Sequence, residues 1–297
     1  MRNAFVEELV SYASENSKVA LVVGDLGYSV VEPFADRFPE RFINAGVAEQ
    51  NMMGLAAGMA SEGYHVFVYS IANFPTFRCA EQIRNDVDYH KLPVTVVSVG
   101  GGLAYGNMGY SHHAIQDYGL MRMFPNMLIA APGDPMEVRA CMRYLSANPQ
   151  TSYLRLGKAG EHCLHPNVPN IEPGYWLNIK NGDDSCQTLL TTGAVLGMAE
   201  KWLSSSRYQG FALHSMPLWS MATKLKQARQ LAHWKSVITI EDHLADCGFG
   251  SWLRESLEDS PQFMSRVIVR ALDSKVCGMV GTQSMLNELG GLSMVKE

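Results

Sequence analysis

Along the first half of the chain, continuous apolar runs alternate with stretches whose apolar residues recur at helical spacing. VALVVGD from Val19, RFINAG from Arg41, HVFVYS from His65, VTVVSVG from Val94, NMLIAAPGD from Asn126 and SYLRLG from Ser152 read as strands. Helical segments begin near Val47, Pro75, Ala114 and Pro135, and the N-terminal MRNAFVEELVSYASE reads as an amphipathic helix. Strands that are apolar on both faces must be covered on both, so this order predicts a mostly parallel sheet with helices on either side. HPNVPNIEPG, His165 to Gly174, carries three prolines in ten residues and interrupts the alternation. The pattern then resumes with CQTLLTTG, GFALHSM, SVITIED and RVIVRAL as strands, and helices near Ala194, Met221, Phe249 and Gln283. The expectation is an α/β protein of two domains, residues 1–162 and 187–297, joined by a linker over 163–186.

One stretch departs from ordinary patterning. In NAGVAEQNMMGLAAGMASEG, Asn44 to Gly63, Glu49 is the only charged side chain between Val47 and Ser61, and Gly54 and Gly58 lie four apart. Small residues at that spacing let another backbone approach, so the run reads as a buried helix with a carboxylate at its head. A carboxylate taken out of water costs several kcal/mol unless it is hydrogen-bonded or keeps its proton. Glu49 therefore either caps the helix at its positive end or is kept for chemistry.

Composition narrows the possibilities. With 297 residues, 47% hydrophobic and 18% charged, the chain can build two sizeable cores of ordinary globular character. A formal charge of −5 and the lack of any basic run argue against nucleic acid as a partner. No apolar run is long enough to span a bilayer, and the N-terminal helix with its acidic residues is not a signal peptide, so no membrane partner and a cytoplasmic location are expected. Six cysteines without a C-x-x-C spacing fit free thiols in a reducing compartment. HCLH, from His162, lacks a second pair of ligands and reads as a loop rather than a metal site.

Parallel sheets bind ligands beyond the carboxyl ends of their strands, and the candidate residues gather there. Asp25 and Ser29 follow the first strand, Glu49 the second and Phe74 the third. GGGLAYGNMGYSHHAIQD, eighteen residues from Gly100, follows the fourth and is long for a simple connection. It matches neither G-x-x-x-x-G-K-[ST] nor a dinucleotide fingerprint, which argues against a nucleotide.

Taken in order, VVGDLGYS, NAGVAEQNMMGLAAGMA, AEQIRND, GYSHHAIQD, NMLIAAPGDPMEVRA, SYLRLGK, TTGAV and TIEDH resemble the carboxyl-terminal half of a transketolase. More closely they resemble the small subunit of a split, two-gene transketolase, over essentially the whole chain. The resemblance implies a pyrimidine-binding domain for thiamine diphosphate followed by a transketolase C-terminal domain. It implies that Glu49 faces N1′ of the cofactor's aminopyrimidine, where a shared proton favours the imino form that deprotonates the thiazolium. Burial that raises a carboxyl pKa would suit that task. By the same match Phe74 stacks on the aminopyrimidine with Ile71 alongside, and Asp25 lies near the cofactor. His112 contacts the ketose hydroxyls and moves protons, as a group titrating near neutrality can. Arg2, Ser29 and Arg155 match positions that hold a sugar phosphate, for which the forked donors of arginine are suited. Without the resemblance each has a plainer reading: Phe74 a core ring, Asp25 a turn residue, His112 a loop histidine, the arginines solvated surface. His113 reads as a bystander beside His112.

Two positions depart from the family pattern: Gly100 stands where a histidine is usual, and Met108 where an aspartate precedes G-x-[ST]-H. Both positions face substrate in the family. The expectation is a wider, less polar pocket whose acceptor is a keto-sugar, nucleotide-linked ones included, rather than an ordinary aldose phosphate, as in polysaccharide biosynthesis. The Mg²⁺ that anchors thiamine diphosphate requires a G-D-G motif and a later asparagine, and NGDDS from Asn181 lacks the rest of that pattern. The diphosphate and its metal are thus expected on a partner, the N-terminal transketolase subunit, in a heterotetramer closed by self-association across a two-fold axis. The alternatives are a noncatalytic assembly subunit, a 2-oxo-acid dehydrogenase β subunit and a deoxyxylulose-phosphate synthase-like enzyme. Glu49 and His112 argue against the first, and the phosphate-type residues against the second.

Overall fold

The computed structural model describes residues 1–183 and 186–293; Asp184 and Ser185 of the NGDDS string and residues 294–297 lie outside the described residues. Six strands of the first half are β1 Val19–Val23, β2 Phe42–Asn44, β3 His65–Ile71, β4 Val94–Val99, β5 Leu128–Ala130 and β6 Ser152–Leu156. The second half contributes β7 Leu177–Lys180, β8 Gln187–Thr191, β9 Ala212–Ser215, β10 Leu218–Trp219, β11 Ser236–Leu244 and β12 Val267–Leu272. They build a seven-stranded sheet of order β10-β5-β6-β4-β3-β1-β2 and a five-stranded sheet of order β12-β11-β8-β9-β7. Every pairing is parallel except β10 on β5 and β7 on β9. In β1 and β4 every residue is buried, the consequence of β-branched runs sandwiched between helical layers.

The first sheet has a distinct core on each face. On one, the helices Arg2–Glu15 and Pro135–Ala147 bury Phe5, Leu9, Val138 and Leu145 against Leu21, Phe67 and Leu154. On the other, the helix Glu49–Ser61 buries Met52, Met53, Ala56 and Ala60, and that same core continues into Trp219, Phe249 and Trp252 from the second half. The two domains therefore share a core instead of meeting at a solvated seam.

All ten expected strands form, but the expected linker is more structured than its prolines suggest. β7 lies inside 163–186, an edge strand whose residues alternate between half-buried and exposed. β10 belongs to the second half by sequence yet extends the first sheet, Leu218 opposite Ala130. His165 of the HCLH segment ties the start of the linker down: its Nδ1 is 2.9 Å from Asp134 Oδ2, which also accepts from the Leu164 and His165 amides. Among the described residues no helix is long and apolar enough to cross a membrane.

Candidate active site

The carboxyl ends of β1 and β2 are tied by Asn44. Its Oδ1 accepts from the amides of Asp25 (3.1 Å) and Gly46 (3.0 Å), and its Nδ2 donates to Asp25 Oδ1 (2.9 Å). Asp25, at φ 55°, and Gly46, at φ 73°, take the left-handed backbone this junction needs. The chain then enters the helix at Glu49. That carboxylate is 6% exposed, and it does not cap: Oε1 accepts from Arg78 Nη1 at 2.7 Å. Its place in the first turn also sets it in the favourable end of the helix dipole. Of the two sequence readings, the helix cap is not made: Glu49 is one end of an ion pair with Arg78. Beneath it the Cys79 thiol is pushed up to about 12 by burial and then by Glu49, so it stays protonated.

β3 delivers Ile71, Phe74 and Arg78 to the same edge. The Arg78 guanidinium lies over the Phe74 ring, 4.1 Å from its centroid, while it holds Glu49. Next to Phe74, Asn73 donates through Nδ2 to the carbonyls of His113 (2.5 Å) and Ser111 (3.4 Å). Its Oδ1 is buried with no partner among the described residues. These contacts pin the loop that carries His112, whose ring stands edge-on to Phe74 at 5.2 Å and tilted to Tyr105 at 6.2 Å. Burial, reinforced by His113 and Arg78, lowers the His112 pKa, so its imidazole is neutral at neutral pH and free to take a proton, which it can then give back. His113 is buried with Nε2 3.4 Å from the Gly106 carbonyl, inside the loop. The second domain braces the loop too: Gly281 donates to the Gly106 carbonyl at 3.2 Å, and a Cβ on Gly106 would lie 2.6 Å from Leu286 Cδ1.

Two substrate-facing expectations change, those for Arg155 and Gly100. Arg155 is 2% exposed and fully engaged: Nε donates to Asp117 (2.7 Å), Nη1 to Asp242 (2.5 Å) and Nη2 to the Ala114 carbonyl (2.7 Å). Burial opposes its charge, but Asp117 and Asp242 outweigh burial and hold its pKa well above the ordinary value. It joins the two domains and offers no free donor to a phosphate. Gly100 does not widen the pocket, because the Tyr105 ring fills the space a side chain there would take, and the glycine's φ of 82° is strained for any other residue. Met108 is 54% exposed on the Gly106–Met108 turn. Ser29 is exposed at φ 62°, its amide donating to Glu32 Oε1 at 2.6 Å. Burial raises the pKa of the Tyr69 hydroxyl at the end of β3, and the nearby charge of Arg2 opposes that rise. The edge thus brings together Glu49, Phe74, Ile71 and His112, with Arg2 and Ser29 beyond, and withdraws Arg155.

Sequence reasoning missed Arg78, Asn44 and Tyr105. The one available signal for Arg78 was its spacing, four residues after Phe74.

The residues fit a thiamine-type aminopyrimidine. Such a flat ring needs an aromatic face, a carboxyl opposite a ring nitrogen and an oxygen for its amino group. Phe74, Glu49 and the orphaned Asn73 Oδ1 are of those three kinds. The Arg78 guanidinium, flat and N–H-bearing, already makes the first two contacts.

Comparison with known proteins agrees in kind. The profile of the transketolase pyrimidine-binding domain matches residues 1–160. A protein of Methanocaldococcus jannaschii described as a transketolase C-terminal section is 31% identical, covering 98% of this chain and 92% of that protein. One of the subunits of the apulose-4-phosphate transketolase of Phocaeicola vulgatus is 29% identical over 88% of this chain and 84% of its own length. Among solved structures, a split-gene transketolase described as an inactive β4 tetramer superposes with a TM-score of 0.82 at 30% identity. That match covers 99% of this chain and 93% of the other.

Proposed function

The chain belongs to the transketolase family, as the carboxyl-terminal subunit of a split enzyme, and from that premise we propose that it is the catalytic small subunit of a thiamine-diphosphate-dependent ketol transferase. The observation that carries the proposal is the arrangement of Glu49, Arg78 and Phe74, a planar donor stacked on a ring and bonded to a buried carboxylate. When bound, thiamine diphosphate supplies a carbon nucleophile that stores the two-carbon unit between donor and acceptor. Glu49 holds the proton at the aminopyrimidine ring nitrogen, in the place Arg78 now takes, and Arg78 turns outward, where half its side chain already lies. Phe74, with Ile71, orients that ring, and Asp25 fixes the neighbouring turn through Asn44. His112, neutral and beside Phe74, moves protons at the sugar hydroxyls.

The site is open on the side of Glu49. Val47 and Phe77 are exposed there, and a Cβ on Gly46, Gly54 or Gly58 would meet nothing within 4 Å. Small residues with exposed apolar neighbours support a surface that a protein covers. The N-terminal subunit, with the diphosphate and Mg²⁺ sites, is that partner, two copies of each chain forming the active species. The inactive β4 assembly of the similar split-gene protein is in keeping with a subunit that needs its partner. The substrates are a ketose donor and an aldehyde acceptor, and the phosphorylated substrate named for the Phocaeicola relative favours an anionic sugar. The test mixes this chain with its N-terminal partner, thiamine diphosphate, Mg²⁺ and a panel of ketose phosphates and aldoses. Two-carbon transfer that needs both chains is the expected result; transfer by either chain alone, or by neither combination, overturns the proposal.

A further inference from the structure

We propose that Asp134, His165 and Glu137 form a proton-operated latch that fastens the start of the linker to the first domain and lets go as pH rises above neutrality. The three side chains make one buried chain across three parts of the fold. Asp134, the N-cap of the helix Pro135–Ala147, takes the amides of Leu164 and His165 and the His165 ring on Oδ2. Its Oδ1 accepts from the Glu137 amide at 2.8 Å. Glu137, fully buried in the first turn, accepts on Oε2 from the Gly133 amide at 2.6 Å and from Ser215 Oγ of β9 at 2.9 Å. Its other oxygen, Oε1, is buried with no partner among the described residues, and so is His165 Nε2. These two unpaired atoms stand 3.8 Å apart, just beyond hydrogen-bond reach.

Two polar atoms left unpaired in a buried site are costly, and one proton between them removes that cost. A protonated imidazole donates to the carboxylate, or a protonated carboxyl donates to the imidazole. Burial opposes charge on His165, but the bond to Asp134 and the charges of Glu137 and Asp134 outweigh it and raise the imidazole pKa. Burial raises Glu137 to about 7, against the pull of the Gly133 amide. Burial works against an anionic Asp134 too, yet the His165 bond and the amides of Glu137 and Leu164 keep its pKa low. Both raised groups thus stabilise the closed latch in acid, and that support is lost as pH climbs through neutrality. Two carboxylates then face a neutral ring with no proton to share. The other titratable groups nearby are the Cys141 thiol, which burial keeps protonated, and the Cys163 thiol, which donates to the His165 carbonyl at 3.2 Å.

The stretch beyond the latch is loosely held. Residues 168–171 run past the helix Pro135–Ala147 with a cleft of about 390 Å³ between them, lined by Arg143, Tyr144 and Asn170 among others. The next polar anchor is Gly174, whose amide donates to the Leu218 carbonyl at 2.8 Å and whose carbonyl accepts from Gln227 at 2.9 Å. With the latch open, this stretch keeps that far anchor and the packing of Ile171 on the first core, and loses its near anchor.

Hydrogen exchange of the full chain, read by mass spectrometry on the peptide holding residues 163–168 and corrected for intrinsic pH dependence, tests the latch. Its protection should fall about tenfold or more between about pH 6 and pH 8.5, since loss of one proton opens it. At each pH β4 should exchange at least about tenfold more slowly, because the latch opens locally. Glu137→Gln can still accept from Gly133 and Ser215, and its amide N–H can donate to a neutral imidazole. Protection in that variant should change less than about threefold over the same range. His165→Ala, which removes the ring, should already show at pH 6 the exchange that wild type shows at about pH 8.5. Wild-type protection that does not fall, an equal fall in Glu137→Gln, full protection of His165→Ala at pH 6, or linker exchange only together with β4 each overturns the proposal.

Discussion

Replacing Arg155 by methionine separates a buried joint between domains from an exposed phosphate ligand. The substitution keeps most of the side-chain volume and removes the guanidinium. It leaves Asp117, fully buried, with only the Tyr153 hydroxyl at 2.6 Å, and leaves Asp242, 2% exposed, without its 2.5 Å partner. Removing one partner of a buried ion pair costs about 3–5 kcal/mol, and two orphaned carboxylates place this variant at the upper end. That is a large part of the roughly 5–15 kcal/mol that a folded domain commands. Urea unfolding of the purified chain measures it, with the fluorescence of Trp219 and Trp252 reporting the shared core beside Tyr118. Adding Asp117→Asn and Asp242→Asn to Arg155→Met should recover much of the loss, because the carboxylates, not the missing guanidinium, carry the penalty. A loss below about 1 kcal/mol, the scale of an exposed ion pair, together with a selective rise in KM for phosphorylated sugars, would refute the reasoning.

Burial lowers the His65 pKa to about 3, so below the ordinary 6.5 the folded state binds fewer protons than the unfolded chain, and stability falls as pH drops through that window. His65→Gln should flatten the fall by up to about 1.4 kcal/mol per pH unit in urea titrations, and an unchanged slope would contradict this. Glu137 runs the other way: burial raises its pKa from 4.5 to about 7, so its proton favours the folded state in acid and stability declines as pH rises through that range. Glu137→Gln, still able to accept from Gly133 and Ser215, should remove the decline and leave the protein at least as stable above neutrality; a large loss there would count against it. Gly106→Ala should cost about 1–3 kcal/mol by pressing on Leu286 and the Gly281 carbonyl, and raise substrate KM through the displaced His112 loop; a neutral substitution would show that the second domain does not brace the loop.

The strands of both sheets were legible because β-branched runs buried on two faces leave a continuous apolar signature. β7 and β10 were not: four and two residues long, they owe their pairing to neighbours distant in sequence. Glu49 stood out because a lone charge in a run of small residues must have a reason. Its partner did not, since Arg78 sits in a segment of ordinary polarity and only the turn of the chain brings its guanidinium back over Phe74. Arg155 was misread for the opposite cause. Its type and position suit a phosphate, but Asp242, 87 residues on, claims it, and no local pattern announces that pairing. Gly100 was read as empty space because a glycine shows nothing of what fills the volume beside it. Here that is a ring five residues further along the same loop.

The central claim is that Glu49 activates the cofactor from this chain. Exchange of the thiazolium C2 proton, followed by NMR in the complex of this chain with its N-terminal partner, tests it most directly, with wild type compared against Glu49→Gln. Gln keeps the volume and can still face Arg78, so assembly should be preserved, but it cannot hold and release the ring-nitrogen proton. The account expects exchange to slow by about 10²–10⁴-fold, the range of a positioned acid–base group. An exchange rate equal to wild type in an intact complex would contradict it.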